Sequence, residues 1–147
     1  MMDQKGITLI ELIVVMVIIA IGAALTTPNI SGWLPNYRLR SATREVVSIM
    51  RVAQIKAVSN NTSYRVTFDT VNESYIIQYQ DTGGAWVGEG GTQTLPTGVK
   101  FNTTFPGNIT TFSPNSTATD GNVTLNNTKG ATKTVRLLGL TGRIKIE

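Results

Sequence analysis

Hydrophobic and polar positions divide the chain into three textures. Residues 1–6, MMDQKG, are short and polar. From Ile7 to Leu25 the chain is apolar apart from Thr8 and Glu11, and Leu12 to Leu25 reads LIVVMVIIAIGAAL without interruption. These 19 residues would span about 28 Å as a helix, close to one hydrocarbon core. Val14, Val15, Val17, Ile18 and Ile19 would also suit a strand. Length and unbroken hydrophobicity favour a membrane helix. Lys5 precedes the stretch and no charge follows Leu25 until Arg38, so the N-terminus is expected in the cytoplasm.

The second texture is amphipathic. Pro28 lacks an amide hydrogen and should kink or break the helix. Trp33 and Tyr37 suit a membrane–water boundary. Pro35 marks a second interruption or the first turn of a new segment, and Asn36 and Ser41 suit caps of such segments. Leu39, Ala42, Val46, Ile49, Met50, Ala53 and Ala57 then recur at helical spacing and define one apolar face. Arg40, Arg44 and Arg51 share the opposite face. Such a stripe suits phosphate, a neighbouring subunit, or simply solvent. Asn60-Asn61 is a natural stop.

After Asn61 the chain turns to Thr, Asn and Gly with alternating bulky residues. Tyr64–Phe68 and Tyr75–Tyr79 predict a hairpin. Asp81–Gln93 carries Gly83, Gly84, Gly88, Gly90 and Gly91 and predicts a mobile loop. Leu95–Phe101, with Pro96 and Gly98, predicts a bent or edge strand. Further strands are expected near Ile109–Phe112, Asn122–Leu125, Thr134–Leu138 and Arg143–Ile146, with a polar loop over Ser113–Gly121. The expected class is α+β: a long helix against a mostly antiparallel β-domain.

Composition narrows the chemistry. The 147 residues hold no cysteine and no histidine, which excludes disulfides, Cys/His zinc sites, thiol nucleophiles and a Ser-His-Asp triad. Only nine acids are present. Asp69, Glu73, Asp81 and Glu89 fall in turns and loops without a calcium-binding spacing. The glycines of 83–91 lack the phosphate-loop pattern. No cofactor, metal or enzymatic activity is implied. The net charge of +4 is too weak alone to imply nucleic acid.

Glu11 is the anomaly. A carboxylate within an apolar span costs about 2–4 kcal/mol when central, and no cation of the span can offset it. Beside Lys5 it would reach the interface; otherwise its partner comes from another chain. Lys5-Gly6 followed by Ile7-Thr8-Leu9-Ile10-Glu11 resembles the leader of the type IV pilin superfamily, with Ile7 where phenylalanine is usual. The resemblance implies that a prepilin peptidase cuts between Gly6 and Ile7 and methylates the new amine. It makes Glu11 the assembly glutamate and Pro28 the helix-kinking proline. The ammonium at Ile7 and a neighbour's Glu11 would then pair in a low-dielectric site, chiefly setting register. An uncut signal anchor, or a secretory signal cut after Gly22-Ala23-Ala24, would leave Glu11 unexplained.

The later residues resemble the minor pilins that include the H pseudopilin of type II secretion and the FimT/FimU proteins. They are Leu39–Glu45, Ala53–Ala57, Tyr64–Phe68, Leu95–Val99, Phe112–Pro114, Gly121–Leu125 and Gly142–Ile146. The implied organisation is a leader at 1–6, a transmembrane and assembly helix at 7–27, its amphipathic periplasmic half at 28–60, and a β-rich domain at 61–147. The implied role is structural: an inner-membrane subunit that primes or tips a secretion pseudopilus or a type IV pilus. Its partners would be other pilin or pseudopilin subunits, the prepilin peptidase, the inner-membrane assembly platform and the lipid bilayer. Some FimT-type relatives bind DNA through a C-terminal G-R-x-R element. Gly142-Arg143-Ile144-Lys145 is similar to it, with Lys129, Lys133 and Arg136 nearby in sequence. Arg143 and Lys145 are therefore candidate DNA contacts, although alternating charges also guard an edge strand.

Overall fold

The computed structural model describes residues 6–25 and 30–147. It divides into two compact units, Met1–Trp33 and Leu34–Glu147. Pro28 and Lys5 lie outside the described residues.

In the first unit, helix α1 runs Leu9–Leu25, 17 residues. Thr8 precedes it and caps it. Its hydroxyl oxygen accepts the Glu11 amide hydrogen at 3.4 Å, and its carbonyl accepts that of Leu12 at 3.2 Å. The cap starts the helix two residues later than the apolar stretch begins, so α1 is only about 25 Å long. Among the described residues no helix is long and apolar enough to cross a membrane. The large apolar side chains of α1 from Leu9 to Ile21 are all exposed.

Helix α2 runs Ile30–Ser59 and passes through Pro35 without ending. Pro35 sits early, where it removes one intrahelical bond from the second turn. Asn36 and Ser41 are inside the helix rather than at caps; the Asn36 side-chain oxygen accepts a bond from the Asn127 amide at 2.9 Å. Leu39, Ala42, Val46, Met50, Ala53 and Ala57 are buried, joined by Thr43 and Val47. Ile49 is only partly covered. The helix ends at a left-handed Asn61, φ 49°. The Thr62 amide donates to Ala57 and the Asn61 amide to Val58, a Schellman closure.

Eight strands follow: β1 Tyr64–Asp69, β2 Ser74–Gln80, β3 Trp86–Thr94, β4 Val99–Thr103, β5 Ile109–Phe112, β6 Gly121–Asn127, β7 Thr132–Leu138 and β8 Arg143–Ile146. They form two antiparallel four-stranded sheets, ordered β3-β2-β1-β5 and β4-β6-β7-β8. The expected loop over Asp81–Gln93 is mostly strand. Only Asp81–Ala85 turns, and β3 pairs with β2 from Gln80↔Trp86 to Ser74↔Thr94, with an irregularity between Tyr75 and Ile77. Backbone pairing needs no side chain, so the glycines of β3 are carried by β2 as a template. The expected strand at Leu95–Phe101 begins later, at Val99, after a turn through Gly98 at φ 85°.

One buried cluster joins helix and sheets. Met50, Val66, Phe112, Val123, Leu125, Val135 and Leu137 are fully buried within it. Phe68 sits at its centre of aromatic contacts, edge-on to Phe101 at 5.6 Å and stacked on Phe105 at 6.1 Å. Glu73, in the β1–β2 turn, ties the two sheets together: its carboxylate accepts the Phe101 amide hydrogen at 3.0 Å.

Candidate functional site

The first candidate region is the start of α1. Gly6 and Ile7 precede the helix, and Ile7 is 77% exposed. A Cβ built on Gly6 would meet nothing within 4 Å, so no packing among the described residues requires glycine there. Glu11 lies in the first turn of α1. Thr8-Leu9-Ile10-Glu11 has the spacing of a capping box, and the carboxylate sits at the positive end of the helix dipole. This local role was legible in the T-x-x-E spacing but is absent from a reading of Glu11 as an assembly group alone. Pro28, the other expected assembly residue, is outside the described residues.

The second region is the basic C-terminal strand. Arg143 and Lys145 are exposed on β8, an edge strand. Register sets Lys145 opposite Arg136 and Arg143 opposite Leu138. Arg136, Arg143 and Lys145 therefore share the outer face of the second sheet, opposite buried Val135 and Leu137. Glu147 pairs with Thr134 and returns one negative charge to that face. Lys133 does not join the group. It lines a small 90 Å³ hollow with Arg40, Thr43, Arg44 and Ile146, on the helix side of the sheet.

The third region is the outer side of α2. Arg40, Arg44 and Arg51 are exposed there, as expected for a solvated stripe, and so are Val52, Ile55 and Val58. The nearby acids are engaged. The Tyr75 hydroxyl donates to Glu45 at 2.7 Å. Burial and then this bond push the Tyr75 hydroxyl far above its ordinary pKa. Lys56 forms an ion pair with Glu89. Hydrogen bonding to Lys56 holds the Glu89 carboxyl below its usual range, against a smaller opposing effect of burial. Among the described residues no group of three or more acids, histidines or cysteines converges to hold a metal ion.

The outer sheet face, the α2 stripe and the exposed α1 all offer contact surfaces rather than an enclosed reaction site. A family model described as the type II transport protein GspH matches residues 42–141. The chain belongs to the GspH family. A second model, the prokaryotic N-terminal methylation motif, matches residues 1–27, a range that includes Gly6, Ile7, α1 and Glu11. The GspH family is structural and not enzymatic.

Solved structures agree in fold. The minor pseudopilin EpsH from the type 2 secretion system of Vibrio cholerae is similar with a TM-score of 0.66 at 9% identity, over 75% of this chain and 96% of that one. The type IV minor pilin FimU of Pseudomonas aeruginosa gives 0.62 at 18% identity, over 76% and 90%. The solution structure of E. coli GspH gives 0.62 at 12% identity, over 76% and 89%. At such identities the likeness speaks for the fold alone. No curated protein matches the sequence. The pilin-like α+β architecture expected of a GspH-family chain is the architecture present.

Proposed function

We propose that this GspH-family chain is a minor pseudopilin or pilin, inserted in the inner membrane, cleaved after Gly6, methylated at Ile7 and assembled into a filament that it primes or tips. The functional segments are the leader 1–6, the membrane and assembly helix 7–27, the periplasmic half-helix 28–60 and the β-domain 61–147. The observation that carries the reading is α1 itself. It is apolar on every side, exposed on every side, and holds a single acid in its first turn. A helix of that kind must be covered by lipid or by other helices. Ile7 adds one apolar residue beyond the helix, and a bilayer thins locally around a short segment at modest cost. The prepilin peptidase, the assembly platform and other subunits are the partners this reading requires.

Glu11 supplies the test. Breaking one partner of a buried ion pair costs about 3–5 kcal/mol, and each 1.4 kcal/mol is about tenfold in an equilibrium. Glu11→Gln keeps a side chain able to complete the Thr8 cap but removes the charge. The expected result is a processed Glu11→Gln chain whose share in the sheared filament fraction falls more than tenfold. Incorporation equal to wild type would refute the charge-pairing role.

A second reading, DNA capture, is favoured by the register of β8. Like charges directly opposite one another in a sheet repel, and Arg136 faces Lys145 with Arg143 beside them. An anion on that face would relieve the repulsion. Duplex DNA binding should then weaken steeply with salt and vanish in Arg143→Ala/Lys145→Ala. No retardation of DNA by the wild-type chain at low salt would dismiss it.

A further inference from the structure

We propose that the solvent-facing side of α2 is a heterotypic docking surface, which takes an acid-flanked amphipathic helix from a different subunit and disfavours a second copy of this chain. Three observations carry this. Val52, Ile55 and Val58 are 38%, 66% and 47% exposed, spaced every third residue along one side of the helix. None is needed for the core, which is filled from the opposite side by Val46, Met50, Ala53 and Ala57. They therefore form a ridge with nothing among the described residues on top of it.

The ridge is bordered by concave surface suited to another ridge. One shallow groove of about 430 Å³ runs between it and β8, lined by Arg44, Arg51, Val52, Ile55 and the half-exposed Ile146 among others. A second, of about 350 Å³, lies beside Ile55 and Val58 and reaches Ser116. Side chains at i, i+3 and i+4 of an incoming helix fit such grooves by ridge-into-groove packing.

Charge selects the occupant. Arg44 and Arg51 line the groove beside the ridge, and Arg40 and Lys133 lie next to Arg44 toward the start of the helix. Among the described residues the ion pair is Lys56–Glu89, and Glu45 already accepts the Tyr75 hydroxyl. The groove toward β8 thus presents Arg44 and Arg51 with no acid in its lining, while Glu45 and Glu89 line a separate hollow on the β2–β3 side of Val52. A second copy docked ridge to ridge would bring these arginines against their own kind, and like-charge juxtaposition opposes a wrong partner. A helix with Asp or Glu flanking its apolar stripe meets both features.

The inference rests on the filament-subunit reading. The test places a photo-cross-linking p-benzoylphenylalanine at Ile55 of the full chain in native membranes, with a control at exposed Val71 in the β1–β2 turn. Mass spectrometry sequences the captured peptide, and intact mass reads the N-terminus in the same sample. The expected capture at Ile55 is a helical segment of a different pilin-like subunit, with at least two acids within a turn of its apolar residues. Arg44→Glu/Arg51→Glu should reduce it at least tenfold, while Arg44→Lys/Arg51→Lys keeps most of it. Capture of this chain itself, capture of a segment without acids, or equal capture by the charge-reversed variant would overturn the proposal. A chain processed at Ile7 that gives no Ile55 adduct overturns the docking surface alone. An unprocessed chain without the adduct overturns both readings.

Discussion

Met50 and Ile55 lie on the same helix, five residues apart, and should respond to truncation in opposite ways. Met50 is fully buried in the cluster that joins α2 to both sheets. Met50→Ala removes three methylene-sized groups, worth roughly 0.8 kcal/mol each in transfer from water. The partly unfilled cavity adds to this, giving about 3 kcal/mol, within the 2–5 observed for such truncations. For a domain of this size that lowers Tm by about 10 °C. Ile55 is 66% exposed, and alanine favours helix more than isoleucine does. Ile55→Ala should change stability by no more than about 0.5 kcal/mol. Thermal unfolding of the full chain in detergent, followed by circular dichroism of the sheets, measures both. Equal shifts for the two variants, or a larger loss at Ile55, would refute the assignment of inner and outer faces. That outcome would also remove the basis for a docking ridge.

Gly142 stands at φ 58°, and a Cβ there would come 2.5 Å from the Ser116 carbonyl oxygen. Gly142→Ala should cost about 1–3 kcal/mol, read as a fall in the urea midpoint, and no fall would contradict the close approach. Tyr75→Phe removes a donor to Glu45 and should cost about 1.5–3 kcal/mol at neutral pH. The Tyr75 pKa is raised in the fold, so its contribution is full below the ordinary tyrosine value of about 10 and declines as pH rises above it. The wild type should therefore lose stability more steeply than Tyr75→Phe in alkaline denaturation curves. At the acid end, the Asn72 and Val71 amides lower the Asp69 pKa and Lys56 lowers that of Glu89. Both carboxylates favour folding above their ordinary pKa, near 4, and stop doing so as pH falls through the lowered values. Glu89→Gln should flatten that acid limb, and an unchanged limb would show that the Lys56 pair has no thermodynamic weight.

Local patterns were readable wherever one element fixes its own contacts. The helical recurrence from Leu39 to Ala57 marks the face that is buried, because a 3.6-residue period can serve only one side of α2. Tyr64–Phe68 and Tyr75–Tyr79 mark β1 and β2, because alternation in a half-buried strand is equally local. Asn61 marks the helix stop, because few residues tolerate the left-handed backbone there. Long-range pairing was not readable. The glycines of β3 give no alternation, and its strand character comes from β2 across the register. The separation into two sheets depends on partners distant in sequence, such as β1 with β5, which local periodicity does not encode. At the candidate sites, Arg143 and Lys145 were legible as an exposed alternating pair. The position of Arg136 opposite Lys145, and of Lys133 on the other side, required the register. The Thr8 cap was written in the sequence as T-x-x-E, yet the apolar context drew attention to the charge of Glu11 alone.

These readings give Glu11 two compatible tasks. Within the chain its backbone amide is held by the Thr8 hydroxyl, which fixes the first turn of α1. Between chains its carboxylate would be available to a neighbour's ammonium, since a cap of this kind leaves most of its hydrogen-bonding capacity unused. Among the described residues nothing crowds Gly6, as cleavage of the Gly6–Ile7 bond would require.

Intact-mass and N-terminal analysis of the membrane-extracted chain, made with and without a prepilin peptidase, tests the processed-subunit function most directly. The expected product begins at Ile7, carries one added methyl group, and forms only when the peptidase is present. A chain that keeps Met1 in the presence of the peptidase, or one cut near Ala24, would contradict assembly through a freed Ile7 amine and Glu11.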